Sequence, residues 1–261
     1  MNDNYKIVWL TDLHIVEGEL YSYNPTHQLL KLQSHLINFL DDIHAIVITG
    51  DLTNDGSINS YNILSEILSK FTCPVLLSLG NHDCYNNFNI VFNDDYKKKY
   101  LDIFDRRLIT FDTSNYLKSD DHINELSEIL EQAVFEKRKI LMFMHHPIVT
   151  TGIAPALDKT IFKSEYFEKL ILKYANYIEH IFFGHIHRPL TLSWNGISMS
   201  SNWATSHQTI FQKQVDALLE NNSRFTYYGL IELYNYGIQV HFKCAEWESA
   251  YKTVKKNLDV I

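Results

Sequence analysis

The sequence has few of the residues that mark fibrous, low-complexity or disulfide-stabilised proteins. Its 261 residues include nine Gly, five Pro and three Cys. So little Gly and Pro excludes collagen-like and low-complexity chains, and 46% hydrophobic residues is too many for a disordered chain. The cysteines Cys73, Cys84 and Cys244 are odd in number and far apart, so they predict reduced thiols in a cytoplasmic protein.

Basic residues and long apolar runs are also scarce. Lys and Arg total 23 against 31 Asp and Glu, a formal net charge of −8. This balance disfavours nucleic acid as a partner, because that affinity depends on basic residues neutralising phosphates. No apolar run approaches the roughly 18 residues of a membrane span, and the N-terminus lacks the pattern of an export signal. The composition predicts a soluble, unexported protein that does not bind membranes.

Short apolar runs alternate with helical apolar stripes along the chain. The runs over 5–11, 45–49, 74–79, 108–111, 140–144 and 181–183 predict strands, and the stripes over 29–40, 61–70, 123–133 and 164–175 predict helices. Hairpin signals stand at 195–196 and 236–237, whereas 84–106 is rich in Asn, Asp and Lys and predicts a mobile loop or a cap. The alternation predicts one layered α/β domain over 1–261.

Polar clusters follow five of the strand-like runs. They stand at residues 12–14, 50–51, 80–83, 145–146 and 184–187. Together they hold carboxylate, amide and imidazole groups, which suit divalent Zn, Mn, Fe or Co. Asp12 and His14 are two residues apart, as are His185 and His187, and this spacing directs both side chains of a pair to the same side of an extended strand. The clusters predict a metal site at the strand ends.

These clusters, in this order, resemble the signature of the calcineurin-like metallophosphoesterase family. The matching segments are DLH at 12–14, GD at 50–51, GNHD at 80–83, HHP at 145–147 and GHIH at 184–187. The resemblance implies an α/β fold, namely a four-layer α/β/β/α sandwich with the metal site on loops at the carboxyl ends of the strands. It also implies that strands in the tail, 191–261, complete the second sheet.

Within that family, the sequence is most similar to the class III cyclic nucleotide phosphodiesterase and glycerophosphodiesterase branch. The segment GDLTNDG at 50–56 and the His-Asp ending of GNHD carry this resemblance. It implies a phosphodiester hydrolase for a 3′,5′-cyclic nucleotide such as cyclic AMP, with a metal-bridging hydroxide attacking phosphorus in line. The alternatives are a broad glycerophosphodiesterase or phosphomonoesterase and a non-catalytic binding scaffold. Two departures from the branch are Trp203-Ala204, in place of a Pro, and Ile148, where a second Pro is usual.

The resemblance also implies a role for each matching residue. Asp12, His14 and His187 would bind the first of two divalent ions, Asn81, His145 and His185 the second, and Asp51 both. Fe and Mn are the expected ions, with Zn and Co as alternatives. A bridging role suits Asp51 because a carboxylate has two oxygens, whereas an imidazole offers one lone pair to one metal.

His82 and Asp83 are the predicted catalytic pair. His82 would bind the substrate phosphate and protonate the leaving oxygen, and Asp83 would orient His82 and favour its charged form. Substrate contacts are also predicted for Asn81, His146 and His207. The resemblance gives the ligand role to His145 because the family spacing is His-x-Pro, and side-chain alternation puts only one of the two adjacent residues toward the metals. The expected partner is a small phosphodiester. The aromatic-rich tail could stack a nucleobase or form the face of a homodimer, but sheet packing is the favoured interpretation.

Overall fold

The computed structural model describes residues 5–40, 42–114, 120–210, 218–220 and 225–246. The elements are β1 (Tyr5–Leu10), α1 (Pro25–Phe39), β2 (Ile43–Thr49), α2 (Ile58–Leu68), β3 (Val75–Ser78), α3 (Tyr85–Val91), β4 (Tyr100–Ile103), β5 (Arg106–Phe111), α4 (Asp120–Phe135), β6 (Lys139–Met144), α5 (Pro155–Asp158), α6 (Glu165–Lys173), β7 (Ile178–Phe183), β8 (Leu190–Trp194), β9 (Ile197–Ser201), β10 (Gln208–Ile210), β11 (Leu218–Glu220), β12 (Tyr227–Tyr234) and β13 (Gly237–Cys244). Each strand and helix predicted from the apolar pattern is present.

The strands form two large sheets and one small hairpin. The first sheet has the order β13-β12-β1-β2-β3, the second has the order β4-β5-β6-β7-β9-β8, and β10 pairs with β11. Strands β1, β2 and β3 are parallel, and so are β5, β6 and β7. The carboxyl ends of these parallel strands therefore lie at one edge of each sheet.

Alternating side chains divide each sheet into an inner and an outer face. Ile7 and Trp9 of β1 belong to the core between the sheets, whereas Val8 and Leu10 pack with the residues of α1 and α2. In the second sheet, Phe143 faces the first sheet. The outer face of the second sheet packs with α4 and α6. Helices therefore cover both outer faces, and the predicted α/β/β/α sandwich is confirmed.

Local sequence accounts for the first of these helices. The Asn24 side chain accepts a hydrogen bond of 3.0 Å from the His27 amide, and Pro25 occupies the first turn. Both features favour a helix start. The stripe through Leu32 and Leu36 is fully buried against the first sheet. Within the described residues, no helix combines the length and the apolar character needed to cross a bilayer.

The segment 84–106 is not one continuous loop. It contains α3, whose Phe88 ring contacts Tyr61 at a centroid distance of 6.0 Å, and β4, which pairs antiparallel with β5 at the edge of the second sheet. Phe88 is 6% exposed. The many Asn, Asp and Lys residues give this segment the composition of a loop, because only a few buried aromatic residues are spaced among them.

The tail divides between the two sheets instead of completing one. Strands β8 and β9 extend the second sheet, but β12 and β13 extend the first sheet next to β1. Gly229 of β12 allows this position, since a Cβ there would lie 2.8 Å from the Trp9 ring. The prediction that 191–261 completes the second sheet is therefore wrong for β12 and β13. Part of that tail, 211–217, 221–224 and 247–261, lies outside the described residues.

Candidate metal centre

The five polar clusters converge where the parallel strands end. Left-handed backbone is found at Asp12 (φ 53°), His14 (48°), Asp51 (47°), His185 (70°) and His187 (52°). Such conformations are strained for residues other than Gly and concentrate at functional sites. Because β1 ends at Leu10, extended alternation does not explain why Asp12 and His14 point the same way. Left-handed turns bring both side chains into the centre.

Glycines allow the turns to approach one another closely. Gly50 has φ 84°, and a Cβ there would lie 2.5 Å from Nδ1 of His145. A Cβ on Gly184 would lie 2.1 Å from Oγ1 of Thr11. At either position, any amino acid other than glycine would displace a neighbouring side chain of the centre. The glycines before the polar residues are thus needed for its geometry.

One group of side chains gathers around Asp12. The ligand atoms of Asp12, His14, Asp51 and His187 lie within 4.8 Å of one another, and all four residues are buried. Nε2 of His187 is 3.3 Å from Oδ1 of Asp12, and Nε2 of His14 is 3.2 Å from Nε2 of His187. Two carboxylates and two imidazoles therefore face one small volume.

A second group lies beside the first. It contains His145, His146 and His185, whose ligand atoms are also within 4.8 Å of one another. Oδ1 of Asn81 is 3.1 Å from Nε2 of His145. Asp51 stands between the groups, since its Oδ2 is 3.4 Å from Nε2 of His145 and 3.5 Å from Nε2 of His14.

Hydrogen bonds orient the imidazole rings toward the centre. Nδ1 of His145 donates to the Thr49 carbonyl at 2.8 Å, and Nδ1 of His187 donates to the His207 carbonyl at 2.8 Å. A carbonyl only accepts, so Nδ1 carries a proton and Nε2 is the nitrogen directed at the centre. Nε2 of His185 instead bonds to Oγ1 of Thr160 at 2.6 Å, which leaves Nδ1 for the centre. This donor set fits divalent cations that accept nitrogen and oxygen ligands.

Burial and the carboxylates set the charge of the centre. Burial lowers the pKa of His14 and of His185 to about 3, so both rings are neutral near pH 7. Burial would also lower the pKa of His145, but the charges of Asp51 and Asp12 and the hydrogen bonds of the ring together outweigh burial and raise this pKa to about 9. Although burial opposes ionisation of Asp51, His145 holds its pKa well below the usual range. The centre thus combines ionised carboxylates with the neutral imidazoles of His14 and His185 and the positively charged imidazole of His145.

His82 lies at the open side of the centre. Its side chain is exposed, and its ring meets the His14 ring edge-on at 4.7 Å. The His82 amide donates to Oδ1 of Asp51 at 2.9 Å, and its Nδ1 donates to the Asn54 carbonyl at 3.0 Å. Nε2 is thereby left as the nitrogen directed away from these anchors. Asn81, the preceding residue, is also exposed.

Asp83 does not orient His82, and that prediction is wrong. Its buried carboxylate accepts hydrogen bonds from the amides of Leu52 and Thr53, both at 3.0 Å, and from the Gly80 amide at 2.9 Å. The Tyr61 hydroxyl donates to it at 3.0 Å. Burial, reinforced by the nearby negative charge of Asp51, raises the pKa of Asp83 to about 6. Asp83 therefore ties together the loops after β2 and β3, and the Asn54 carbonyl orients His82.

His146 and His207 both lie against the ligand groups. The His146 ring is 4.6 Å from the His185 ring, and its Nδ1 is 2.9 Å from Oγ1 of Thr113. Strand alternation does not separate His146 from His145, because β6 ends at Met144. The His207 ring is 4.8 Å from the His14 ring.

Several residues that hold the centre were not singled out from the sequence. They are Thr113 on His146, Thr160 on His185, Asn54 on His14 and His82, and Tyr23, whose hydroxyl shares a hydrogen bond of 2.9 Å with Nδ1 of His207. Of these, Asn54 lies within the GDLTNDG segment, so the family motif could have identified it from the sequence. The others are isolated polar residues in loops, without a motif.

The fold and the His/Asp cluster define a phosphoester hydrolase that can hold metal ions. Residues 5–189 match the sequence profile of the calcineurin-like phosphoesterase family, which is more than half of the chain. The chain belongs to the calcineurin-like phosphoesterase family. It is a metallophosphoesterase, and its His and Asp groups could form a dinuclear metal site.

Similar sequences come from several bacteria. A protein of Ruthia magnifica, named a probable cyclic nucleotide phosphodiesterase, is 30% identical over 211 residues, 78% of this chain and 88% of its own length. One of the same name from Rhodopseudomonas palustris is 28% identical over 221 residues, 79% of this chain and 80% of its own. An Arcobacter nitrofigilis protein named a probable glycerophosphodiester phosphodiesterase is 27% identical over 228 residues, 82% and 83% of the two chains.

Solved structures show the same fold at low sequence identity. Purple acid phosphatase from yellow lupin matches 94% of this chain and 52% of its own, with a TM-score of 0.70 and 13% identity. A dimetal phosphatase from Danio rerio matches 92% of this chain and 96% of its own, with a TM-score of 0.59 and 12% identity. These likenesses establish the architecture of the sandwich.

Proposed function

We propose that this chain is a dinuclear metal-dependent phosphodiester hydrolase whose substrate is a 3′,5′-cyclic nucleotide such as cyclic AMP. The observation that carries the proposal is the position of Asp51. Its Oδ2 is 3.5 Å from Nε2 of His14 and 3.4 Å from Nε2 of His145, at the junction of the two ligand groups. A carboxylate oxygen has two lone pairs, and here both ligand groups approach the same oxygen, Oδ2, while Oδ1 accepts from the His82 amide. Relatives named probable cyclic nucleotide phosphodiesterases support the substrate class.

Each cation would have its own ligands and share Asp51. Asp12, His14 and His187 would hold the first, and Asn81, His145 and His185 the second. The nitrogen and oxygen donors suit Fe, Mn, Zn or Co, and Fe and Mn are the ions we propose. Two such cations, when bound, would acidify a coordinated water and neutralise charge on the phosphoryl oxygens.

His82 supplies the proton for the leaving group in this proposal. Nδ1 of His82 already donates to the Asn54 carbonyl, which leaves Nε2 free to carry the transferred proton. As the oxygen of a water that has given up one proton to solvent bonds to phosphorus, the bond from phosphorus to the ester oxygen breaks, and the Nε2 proton moves to that oxygen. Asn81 and His146 adjoin His145 of the second ligand group, and we assign them contacts with the remaining phosphoryl oxygens.

A glycerophosphodiester is the second candidate substrate. The Arcobacter nitrofigilis relative, named a probable glycerophosphodiester phosphodiesterase, is 27% identical to this chain. The metal centre holds the phosphodiester group common to both substrates, so the geometry of its ligands serves either one. A non-catalytic scaffold is disfavoured, because the seven proposed ligands and His82 are all present and gathered at one edge of the fold.

The proposed enzyme would act in the cytoplasm on a small diester. Its cysteines, Cys73, Cys84 and Cys244, are present as thiols, the form that a reducing compartment maintains. A homodimer stays a prediction for the aromatic tail, where Tyr236 is 74% exposed.

Comparison of three substrates tests the proposal. The Mn²⁺-loaded protein is assayed on cyclic AMP, on bis(p-nitrophenyl) phosphate and on glycerophosphoethanolamine, with a chelator-treated sample as control. We expect turnover of the first two, lost on chelation, and a higher kcat/KM for cyclic AMP than for glycerophosphoethanolamine. The reverse order would move the assignment to glycerophosphodiesters. Turnover that survives complete metal removal would refute the dinuclear mechanism.

A further inference from the structure

An exposed tyrosine stands in a strained turn between β1 and α1. Tyr21 and Ser22 have φ values of 49° and 65°. The turn is closed by two hydrogen bonds, from the Leu20 amide to the Tyr23 carbonyl at 2.7 Å and from the Tyr23 amide to the Leu20 carbonyl at 3.1 Å. Two-residue turns of this hand favour Asn and Gly, so Tyr and Ser are held here at a cost in backbone strain.

The turn places Tyr21 at the rim of the metal centre. The Tyr21 side chain is 55% exposed, and its ring meets the His207 ring edge-on at 5.3 Å. The His207 ring is in turn 4.8 Å from His14 and 4.5 Å from His187, both proposed ligands of the first cation. The His207 ring therefore lies between Tyr21 and the side of the centre that would hold the first cation.

We propose that Tyr21 is a specificity-determining residue that stacks on the base of a nucleotide whose phosphate lies at the metal centre. Every base has a flat apolar face, and an exposed aromatic ring offers a stacking surface for it. The inference rests on the proposed function and adds how a nucleotide would be distinguished from a diester without a base. The phenol ring of Tyr21 can stack on a base, which an aliphatic side chain cannot do, and it therefore favours a nucleotide over a diester without a base.

Trp203 is a less suitable stacking surface on the same side of the centre. Its ring is stacked on Tyr227 at 5.2 Å with an interplanar angle of 26°. The Arg188 guanidinium lies 5.4 Å from the centroid of the same indole. Trp203 is only partly exposed, whereas Tyr21 is 55% exposed.

A cavity of about 390 Å³ between α3 and α4 is the competing position for a base. Tyr85 lines it together with Lys98 and Lys99. The lysines already pair with carboxylates, Lys98 with Asp95 at 3.1 Å and Lys99 with Glu125. Asp112 also lines the cavity, and the next residue, Thr113, contacts His146. The cavity therefore lies on the side of the second ligand group. Tyr85 therefore provides a comparison variant.

The test measures binding of AMP and of ribose 5-phosphate, which carry the same phosphate ester with and without a base. Isothermal titration calorimetry on the Mn²⁺-loaded protein gives both Kd values without requiring turnover. We expect wild type to bind AMP at least about 10-fold more tightly than ribose 5-phosphate, a ratio typical of one stacked base. Tyr21→Ala should reduce that ratio to about one, and Tyr21→Phe should keep it.

Two control variants make the result specific. Tyr236→Ala removes an exposed tyrosine from the β12–β13 turn, where β12 pairs with the start of β1, and should leave the ratio unchanged. Tyr85→Ala should leave it unchanged as well. Metal content and Tm of each variant verify that the centre and the fold are intact.

The inference is overturned if Tyr21→Ala retains the preference for AMP, or weakens both ligands by the same factor. Loss of the preference in Tyr85→Ala alone would place the base in the cavity and would also overturn it. A protein that binds AMP through Tyr21 and yet fails to hydrolyse cyclic AMP would refute the proposed substrate and support this inference.

Discussion

The two ends of the sandwich both bury charge, but they balance it differently. At the amino end of β5, Arg106 and Arg107 are at most 1% exposed. The Arg106 guanidinium donates to both carboxylate oxygens of Glu179, at 3.0 and 3.2 Å. Arg107 donates to Asp102 at 2.8 and 2.9 Å and to Glu136 at 2.9 Å. Carboxylates of the same chain thus neutralise both guanidinium groups, although Nη1 of Arg107 is buried without a hydrogen-bond partner.

At the carboxyl end, the carboxylates of Asp12 and Asp51 are 0% and 2% exposed. Their neighbours are imidazoles, several of which present a lone pair and not a proton. Burying a charge costs several kcal/mol unless a partner compensates it. The arginine end obtains its partners from the fold, whereas the histidine end is suited to obtain them from solution as metal ions. This difference separates a structural cluster from a candidate site.

Removal of the shared carboxylate should have the largest effect. Asp51→Asn keeps the shape and removes the charge, so we expect metal content to fall from two equivalents to one or none. kcat/KM should decrease at least about 10³-fold, or about 4 kcal/mol. Elemental analysis and steady-state assays on bis(p-nitrophenyl) phosphate measure both quantities. Asp94→Asn, at an exposed position, is the control; two tightly bound equivalents in Asp51→Asn would contradict the bridging role.

Loss of the proton donor comes next. His82→Ala should lower kcat by about 10²- to 10³-fold, a usual contribution of general acid catalysis, and leave metal content unchanged. Asp83→Asn should instead lower Tm with a smaller loss of kcat, because an amide nitrogen cannot accept from the Leu52, Thr53 and Gly80 amides. If His82→Ala lost metal to the same extent as kcat, His82 would not be the proton donor. If Asp83→Asn lost as much kcat as His82→Ala does, Asp83 would not be a purely structural residue.

The arginine end should respond in stability and not in metal binding. Arg106→Met leaves Glu179 without its main partner, and we expect the free energy of unfolding to decrease by about 3 kcal/mol. Arg138→Met removes an arginine that is 27% exposed and should cost less. Urea titration measures both, and metal content is determined in parallel. If Arg106→Met lost metal without losing stability, the arginine end would affect the metal centre, and the proposed separation of the two ends would be wrong.

The smallest effect concerns pH. Burial lowers the pKa of His180 to about 4, so the folded protein keeps a neutral ring, stacked on Phe182 at 4.3 Å and hydrogen bonded to Ser200 at 3.0 Å. The unfolded chain protonates this ring near its ordinary pKa of about 6.5. Its contribution to stability is therefore complete above that pH and is lost as pH falls toward 4.

His180→Gln removes this titration and keeps a hydrogen-bonding group. Between about pH 7 and pH 5, wild type should lose about 2 kcal/mol more of its free energy of unfolding than the variant does. Urea titrations at both pH values measure the difference, in which the other histidines cancel. An identical pH dependence in the two proteins would show that His180 is not buried in its neutral form.

Much of the fold could be predicted because its signals are local. Alternating or helical apolar spacing over a few residues predicted β1, β2, β3, β5, β6 and β7 together with α1, α2, α4 and α6, and the turn signals predicted the β8–β9 and β12–β13 hairpins. Sheet membership was harder, because β12 pairs with β1 across more than 200 residues of chain. The elements α3 and β4 within 84–106 were not predicted, because the polar composition of that segment outweighed the signal of the buried Phe88.

The candidate site shows the same division. The residue types and their places after strands predicted which groups would gather, but alternation gave a wrong reason for the pairing of Asp12 with His14, which depends on left-handed turns. Alternation also separated His146 from His145, and the end of β6 removes that constraint.

The amino-acid sequence by itself determined the class of fold, the family and the chemical character of the metal centre, because apolar periodicity and donor type are properties of neighbouring residues. Only the tertiary structure decided that Asp83 binds loop amides, that Thr113 and Thr160 orient histidines, and that Arg106 meets Glu179. Those contacts depend on sheet order and on turn conformations, which bring together groups far apart in the chain. The same holds for Tyr21, a loop residue whose proximity to His207 follows from folding alone.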